Sequence, residues 1–237
     1  MGAAVAAAAK EAGDRIVAGV DVSPIAASPY PVFHTPAEFG GSADVVIDFS
    51  HHSALPMLLD YAKRTGTPLV VCTTGHTDEE LAQMRAAAAT VPVFYSRNLS
   101  LGVNLLIALC RRAAATLGED FDVEIVEKHH NRKLDAPSGT ALMIADAIAE
   151  GEDRPYVYDR HAERRPRARG EIGIHSVRGG TIVGEHEVMF CGKDEIVTIS
   201  HSAASREVFA AGALRAARFL VGKPAGLYSM DDVVGDL

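Results

Sequence analysis

Along the first hundred residues the apolar positions fall into blocks of two kinds. Residues 2–12 are rich in alanine and suit a helix, and Arg15 to Asp21 is a short β-rich run closing on an acid. Ala43 to Phe49 and Pro68 to Cys72 are near-continuous apolar runs, the pattern of parallel strands covered on both faces. Ala54 to Arg64 and Asp78 to Ala89 carry helical periodicity, and Val91 to Tyr95 adds a further strand. This alternation predicts an open α/β sheet with right-handed crossovers.

From Phe121 the period changes. A strand through Val126 leads into a polar loop and then a helix from about Ser138 to Glu150. Glu171 to Arg178 and Thr181 to Phe190 flank Gly179-Gly180, which predicts a two-residue hairpin, and Glu195 to His201 alternates as a strand. Ser205 to Leu220 reads as an amphipathic helix. These changes divide the chain into a nucleotide-binding domain at about 1–100, to which 223–237 returns, and a substrate domain at about 101–222. Residues 151–170 hold six arginines interleaved with Glu152, Asp153, Asp159 and Glu163, a local net of +2 that predicts a mobile, solvated loop.

Composition narrows the function. The 237 residues are 48% hydrophobic, enough for two modest cores. With 23 Lys plus Arg against 31 Asp plus Glu, the net charge of -8 argues against nucleic acid and anionic membrane surfaces as partners. Cys72, Cys110 and Cys191 are too far apart for a disulfide framework or paired zinc ligands, which points to a reducing, cytoplasmic compartment. No stretch is read as reaching the roughly 18 apolar residues of a membrane span.

The chemistry concentrates between Glu127 and Thr140. Pro137 suits a first helical turn and Asp135 or Ser138 a cap, so the amides near Ser138, Gly139 and Thr140 are expected to be unpaired and to bind an anion, helped by the helix dipole. His129, His130, Arg132 and Lys133 sit just upstream. Their mutual repulsion would bring a His or Lys toward neutrality, ready to donate a proton beside a dicarboxylate. A metal at His129 and His130 is disfavoured, because adjacent side chains diverge and no Cys or carboxylate stands at ligand spacing.

Glu127-x-His129-His130-x-x-Lys133-x-Asp135-Ala136-Pro137-Ser138-Gly139-Thr140-Ala141 resembles the signature of the dihydrodipicolinate reductase family. Asp48-Phe49-Ser50, Thr73-Thr74-Gly75, Asn98-x-Ser100-x-Gly102-Val103-Asn104, Val183-Gly184-Glu185-His186 and Ser205-Arg206 resemble further family blocks in the expected order. The resemblance implies a Rossmann-like, mostly parallel domain joined to an α+β substrate and oligomerisation domain with a mixed or antiparallel sheet. It implies an NAD(P)H-dependent reduction of a cyclic dicarboxylate in lysine and diaminopimelate biosynthesis by a homotetramer. His129 would be the acid/base residue, Lys133 the proton donor, and His130, Ser138, Gly139 and Thr140 the carboxylate contacts, with Arg206 offering a second.

On the cofactor side, Met1-Gly2 resembles the end of the family's glycine fingerprint, so the first strand and pyrophosphate turn are expected to be missing. The alternative reading is a non-catalytic relative that keeps the dicarboxylate pocket and binds dinucleotide poorly. Asp21, at a strand end, suits the adenosine ribose and, with Val22, Ser23 and Pro24 following and no basic residue near, predicts NADH preferred over NADPH. Cys72, Thr73 and Thr74, and Ser96, Arg97, Asn98 and Leu99, follow strand ends and match segments that line the nicotinamide in the family, although Cys72 stands where the family usually has glycine.

Overall fold

The computed structural model describes residues 1–23, 28–162 and 164–235; Pro24, Glu163 and the last two positions of the expected 223–237 segment lie outside the described residues. In chain order it begins α1 (Gly2–Glu11), β1 (Gly19–Val20), β2 (Val32–Phe33), β3 (Val46–Asp48), α2 (Leu55–Thr65), β4 (Leu69–Val71), α3 (Asp78–Ala87) and β5 (Pro92–Tyr95). Then come α4 (Leu101–Leu117), β6 (Asp122–His129), α5 (Gly139–Ala149), β7 (Tyr156–Val157) and β8 (Ile172–Arg178). The chain closes with β9 (Gly184–Cys191), β10 (Ile196–Ala203), α6 (Glu207–Leu220), β11 (Gly226–Tyr228) and α7 (Met230–Val234).

The chain forms two units. The first combines Met1–Ser100 with Glu207–Val233. Its apolar runs become a parallel sheet of order β11-β5-β4-β3, with Leu69, Val71 and Val93 buried against Leu58, Leu59 and Ala62 of α2 and Met84 of α3. A second apolar layer joins Val5 and Ala9 of α1 to Ala210 and Leu214 of α6. The sequence reading placed α6 with the second domain; those contacts place it in the first unit instead. The single predicted sheet is also corrected. Strands β1 and β2 form a separate parallel pair, because β1 pairs only with β2, β3 pairs only with β4, and no ladder among the described residues joins them.

The second unit, Leu101–Arg206 with the residues from Val234, is built on a mixed sheet of order β10-β9-β6-β8-β7. Strand β6 is central, parallel to β8 and antiparallel to β9. Its strict alternation sends Val123 and Ile125 into a core with Ile172, Ile174, Val188 and Phe190, under Val103, Leu106 and Ile107 of α4 and Ile144 and Ile148 of α5. The predicted Gly179-Gly180 hairpin does not form, since β6 lies between β8 and β9 and separates them. Instead Gly179 N–H donates to the His129 carbonyl and Asn131 N–H to the Gly180 carbonyl, so the glycine pair crosses the end of β6.

Two further expectations are corrected here. Residues Leu101–Asp120, α4 with its closing turn, are long and apolar enough to cross a membrane by length and composition. In this unit, however, α4 packs on α5 and β10 as a core helix. The Arg-rich 151–170 segment is tied down rather than free. Arg160 reaches the buried Glu171 at 2.6 Å, Arg167 donates to Glu124 at 3.1 Å and to the Val123 carbonyl at 2.9 Å, and Arg154 donates to the Gly170 carbonyl. These arginines pair with Glu124 on β6 and Glu171 just before β8.

Candidate active site

The inward face of β6 changes character along its length: after Val123 and Ile125 the same side of the strand presents Glu127 and His129. Register then gathers partners from both neighbours. On β8, Ser176 lies opposite Glu127 and Arg178 opposite His129; on β9, His186 lies opposite Glu127. Glu127 is wholly buried. Its carboxylate accepts two hydrogen bonds from Arg178, Nη2 to Oε1 at 2.7 Å and Nη1 to Oε2 at 2.8 Å. It also accepts the Ser138 amide at 3.1 Å, and His129 Nδ1 lies 2.5 Å from Oε2. Gly184 leaves room for the imidazole, since a Cβ there would come within 3.2 Å of His129 Nε2.

The loop after β6 and the start of α5 complete this group. Ser138 is the N-cap, its Oγ accepting the Ala141 amide at 3.2 Å and lying 3.1 Å from His186 Nε2. The expected anion cradle is therefore narrower than predicted, because the Ser138 amide is spent on Glu127. Pro137 stands ahead of the cap instead of in the first turn, following a cis Ala136–Pro137 peptide bond. Gly139 opens the helix, and a Cβ there would meet nothing within 4 Å, so its backbone is open to approach. Thr140 follows it, partly buried.

Lys133 forms an ion pair with Asp135 at 2.8 Å, which makes Asp135 a partner to that lysine and not the cap. His130 carries a buried Nδ1 that has no hydrogen-bond partner among the described residues. Arg206 is exposed just before α6, outside the hydrogen-bonded group around Glu127.

The electrostatics follow from burial and pairing. Burial alone would raise the Glu127 carboxyl, but hydrogen bonds from Arg178, Ser176 and His129 outweigh it and hold the group down at about 2. His129 is shifted below the ordinary imidazole value, first by burial, with Lys133 and Arg178 adding to the effect and Glu127 opposing it. The cation crowding expected from the sequence is thus secondary to desolvation. His186 is pushed down to about 4, mainly by burial and then by the neighbouring His129. A neutral His129 that donates an Nδ1–H hydrogen bond to Glu127 keeps Nε2 free as a proton acceptor, and the carboxylate stabilises the imidazolium once a proton arrives there.

The first unit holds a cavity of about 240 Å³ of its own, lined by Phe49, Cys72, Thr74, Arg97, Leu99 and Phe209 among others, with Met1 and Asn98 also on its wall. Of the predicted cofactor residues, Met1, Cys72, Thr74, Arg97, Asn98 and Leu99 meet there. Thr73 is not among the lining residues; its hydroxyl donates to Asp48 Oδ2 at 2.9 Å, joining the ends of β3 and β4. Ser96 Oγ donates to the Asn98 carbonyl and shapes the loop from within. Burial, with Asp48 adding, raises the Cys72 thiol far above its usual value, so it contributes a neutral wall. Gly2 begins α1. Asp21 is exposed after β1 and turns one carboxylate oxygen onto the Ser23 amide at 2.8 Å.

Comparison with known proteins settles the family. The N-terminal model of dihydrodipicolinate reductase matches residues 1–99, and the C-terminal model matches 102–234. The chain belongs to the dihydrodipicolinate reductase family. A 4-hydroxy-tetrahydrodipicolinate reductase from Caldanaerobacter subterraneus subsp. tengcongensis is 54% identical over 99% of this chain and 94% of its own length. One from Clostridium novyi is 47% identical over 94% of this chain and 88% of its own. A dipicolinate-bound dihydrodipicolinate reductase from Paenisporosarcina sp. TG-14 superposes with a TM-score of 0.83 at 25% identity, over 99% of this chain and 95% of that one. The expected loss of the first strand and glycine turn is not borne out by these matches.

Within the site, the sequence alone left out Arg178 and gave no role to Glu127 or His186. Glu127 and His129 share a strand face two residues apart, a signal that was available. Arg178 carries none, because its proximity depends on a parallel register between strands separated by α5 and β7. Phe209 and Gly212 of α6 were missed for a similar reason. Gly212 is where α6 passes beneath the Ser96–Leu99 loop: a Cβ at that position would lie 1.7 Å from the Leu99 carbonyl oxygen.

Proposed function

We infer that this chain reduces 4-hydroxy-tetrahydrodipicolinate, or its dehydrated form, to tetrahydrodipicolinate with a reduced nicotinamide dinucleotide. The observation that carries the reading is the buried Glu127–His129–Arg178 group beside the opening of α5, in a chain whose family is a reductase of this substrate. Bound nicotinamide supplies the hydride; this chain's residues supply binding and the proton. The open Gly139 backbone, Thr140 and His130 suit one ring carboxylate, and Arg206 is a candidate for the other. Lys133 donates the proton that balances the hydride, with His129 as the acid/base group behind it.

The residues of the first-unit cavity fit a nicotinamide ring, with flat walls from Phe49 and Phe209 and polar atoms from Thr74 and Asn98. Asp21 favours NADH over NADPH, since its remaining carboxylate oxygen suits a ribose hydroxyl and repels a 2′-phosphate. The enzyme acts in the cytoplasm as a homotetramer. The outward side of the second unit's sheet supports that assembly, because it carries exposed Val177 and Ile196. Light scattering of the purified protein checks the assembly.

The deciding test follows oxidation of NADH at its absorbance band with substrate generated enzymatically by the preceding synthase. Turnover that depends on that substrate is expected, and dinucleotide binding without turnover would favour a non-catalytic relative instead.

A further inference from the structure

Glu127 is a wholly buried carboxylate that nothing apolar requires. A lone buried carboxylate is costly to keep ionised, so its environment must return that cost through hydrogen bonds. Here it does so with two hydrogen bonds from Arg178, the Ser138 amide, His129 Nδ1 and the Ser176 side chain. Arg178 also donates to the Asp135 carbonyl at 2.6 Å. One ion pair therefore joins the end of β8, the inward face of β6, the 130–138 loop and the cap of α5.

We propose that the Glu127–Arg178 pair positions His129, with Glu127 holding the imidazole as its Nδ1–H tautomer and Arg178 limiting how strongly that carboxylate draws a proton onto the ring. This rests on the reading of His129 as the acid/base group. Glu127 without Arg178 would favour a permanently protonated His129; Arg178 without Glu127 would leave the ring free to flip and poorer as a base. The pair gives an intermediate state, a ring that is neutral at rest and able to take up charge. The groups that face His129 are Glu127 on its own strand, Arg178 on β8, His186 on β9 with ring centres 5.3 Å apart, and Lys133 on the loop. Only Glu127 opposes the others in sign. Neither Glu127 nor Arg178 is expected to touch substrate, so both are positioning residues.

The test uses the full chain with ¹⁵N-labelled histidine, assigned through His129→Gln, and reads the tautomer and titration of His129 by NMR in wild type, Glu127→Gln and Arg178→Gln. In Glu127→Gln the Nδ1–H tautomer should lose its dominance, His129 should titrate lower, and kcat should fall about 10- to 100-fold. KM for the dicarboxylate should change much less. In Arg178→Gln, His129 should titrate higher than in wild type. Shifts of opposite sign are not what general loosening of the fold would give.

Should Glu127→Gln or Arg178→Gln fail to fold, Arg178→Lys replaces the two-pronged contact with a single point charge. It should shift the titration upward by a smaller amount. Unchanged titration in the folded variants overturns the proposal, as does wild-type kcat in Glu127→Gln with an altered tautomer. Wild-type turnover in His129→Gln would instead overturn the acid/base reading and leave the titration arm standing.

Discussion

On the proposed function, the two units would build a ligand site in opposite ways. In the first, Thr73 bonds to Asp48 and Ser96 to the Asn98 carbonyl, and the cavity beside them mixes ring, sulfur and alkyl surface with the polar side chains of Thr74, Arg97 and Asn98. In the second, the sheet face itself turns from apolar to ionic within one strand, and buried charge is held in place by register. The first arrangement selects by shape and is sensitive to volume. The second sets protonation and is sensitive to charge. Substitutions in the two units should therefore fail in different ways.

The largest contrast should come from His129→Ala. General acid/base groups contribute about 10²- to 10⁴-fold, so kcat should fall by that order while dinucleotide affinity, measured by fluorescence titration, stays close to wild type. A parallel loss of dinucleotide binding would erase the distinction between the units. The converse experiment is Gly212→Ala. The added methyl group has no room beside the Leu99 carbonyl, so the variant should lose about 1–3 kcal/mol of stability in urea denaturation and bind dinucleotide more weakly. His129 should keep its titration.

Acid should expose the second unit's dependence on charge. His186 and His129 are held below their unfolded values, so between about pH 6.5 and 4 the unfolded chain binds protons that the native state refuses, and stability falls as pH drops. Glu127 is held down as well, and its contribution, present above its unfolded value near 4.5, is lost as pH falls toward 2. The urea midpoint followed against pH should thus decline in two stages. His186→Gln should flatten the upper stage by on the order of 1–3 kcal/mol. A single stage near pH 4 would show that the histidines are not held neutral.

The smallest effect is expected at Asp21. Repulsion of a 2′-phosphate in a partly wet groove is worth on the order of 1 kcal/mol, so the ratio of NADPH to NADH dissociation constants should be several-fold in wild type and shrink in Asp21→Ala. An unchanged ratio would remove Asp21 from dinucleotide choice.

What could be read from the sequence divides along the same line. Period and apolar runs located α1, α2, α3, β4, β5, α5 and β10 closely, because each is specified by its own residues. Helix α4 lies between the two patterns and is not predicted, although it is the longest helix among the described residues. The Gly179-Gly180 turn was assigned to a hairpin, since local chemistry cannot show that a strand from fifty residues earlier enters between its arms. The site behaved likewise. His129 to Lys133 stand out by their crowding and Ser138 to Thr140 as a helix start, whereas Arg178 and His186 meet Glu127 only through strand pairing. Asp135 and Lys133 were identified as chemistry-bearing but not as partners, which needed the loop's shape.

The parallel register of β6 and β8 has a meaning for folding fidelity as well. A slip of one residue would turn Ile172 and Ile174 out of the core, and with them it would turn Arg178 to the other side of the sheet. Glu127 would then be enclosed without its counter-charge, at a cost of several kcal/mol, comparable to much of a domain's net stability. The ion pair thus proofreads the sheet: an alignment that fails to assemble the chemistry also fails to persist as a folded protein.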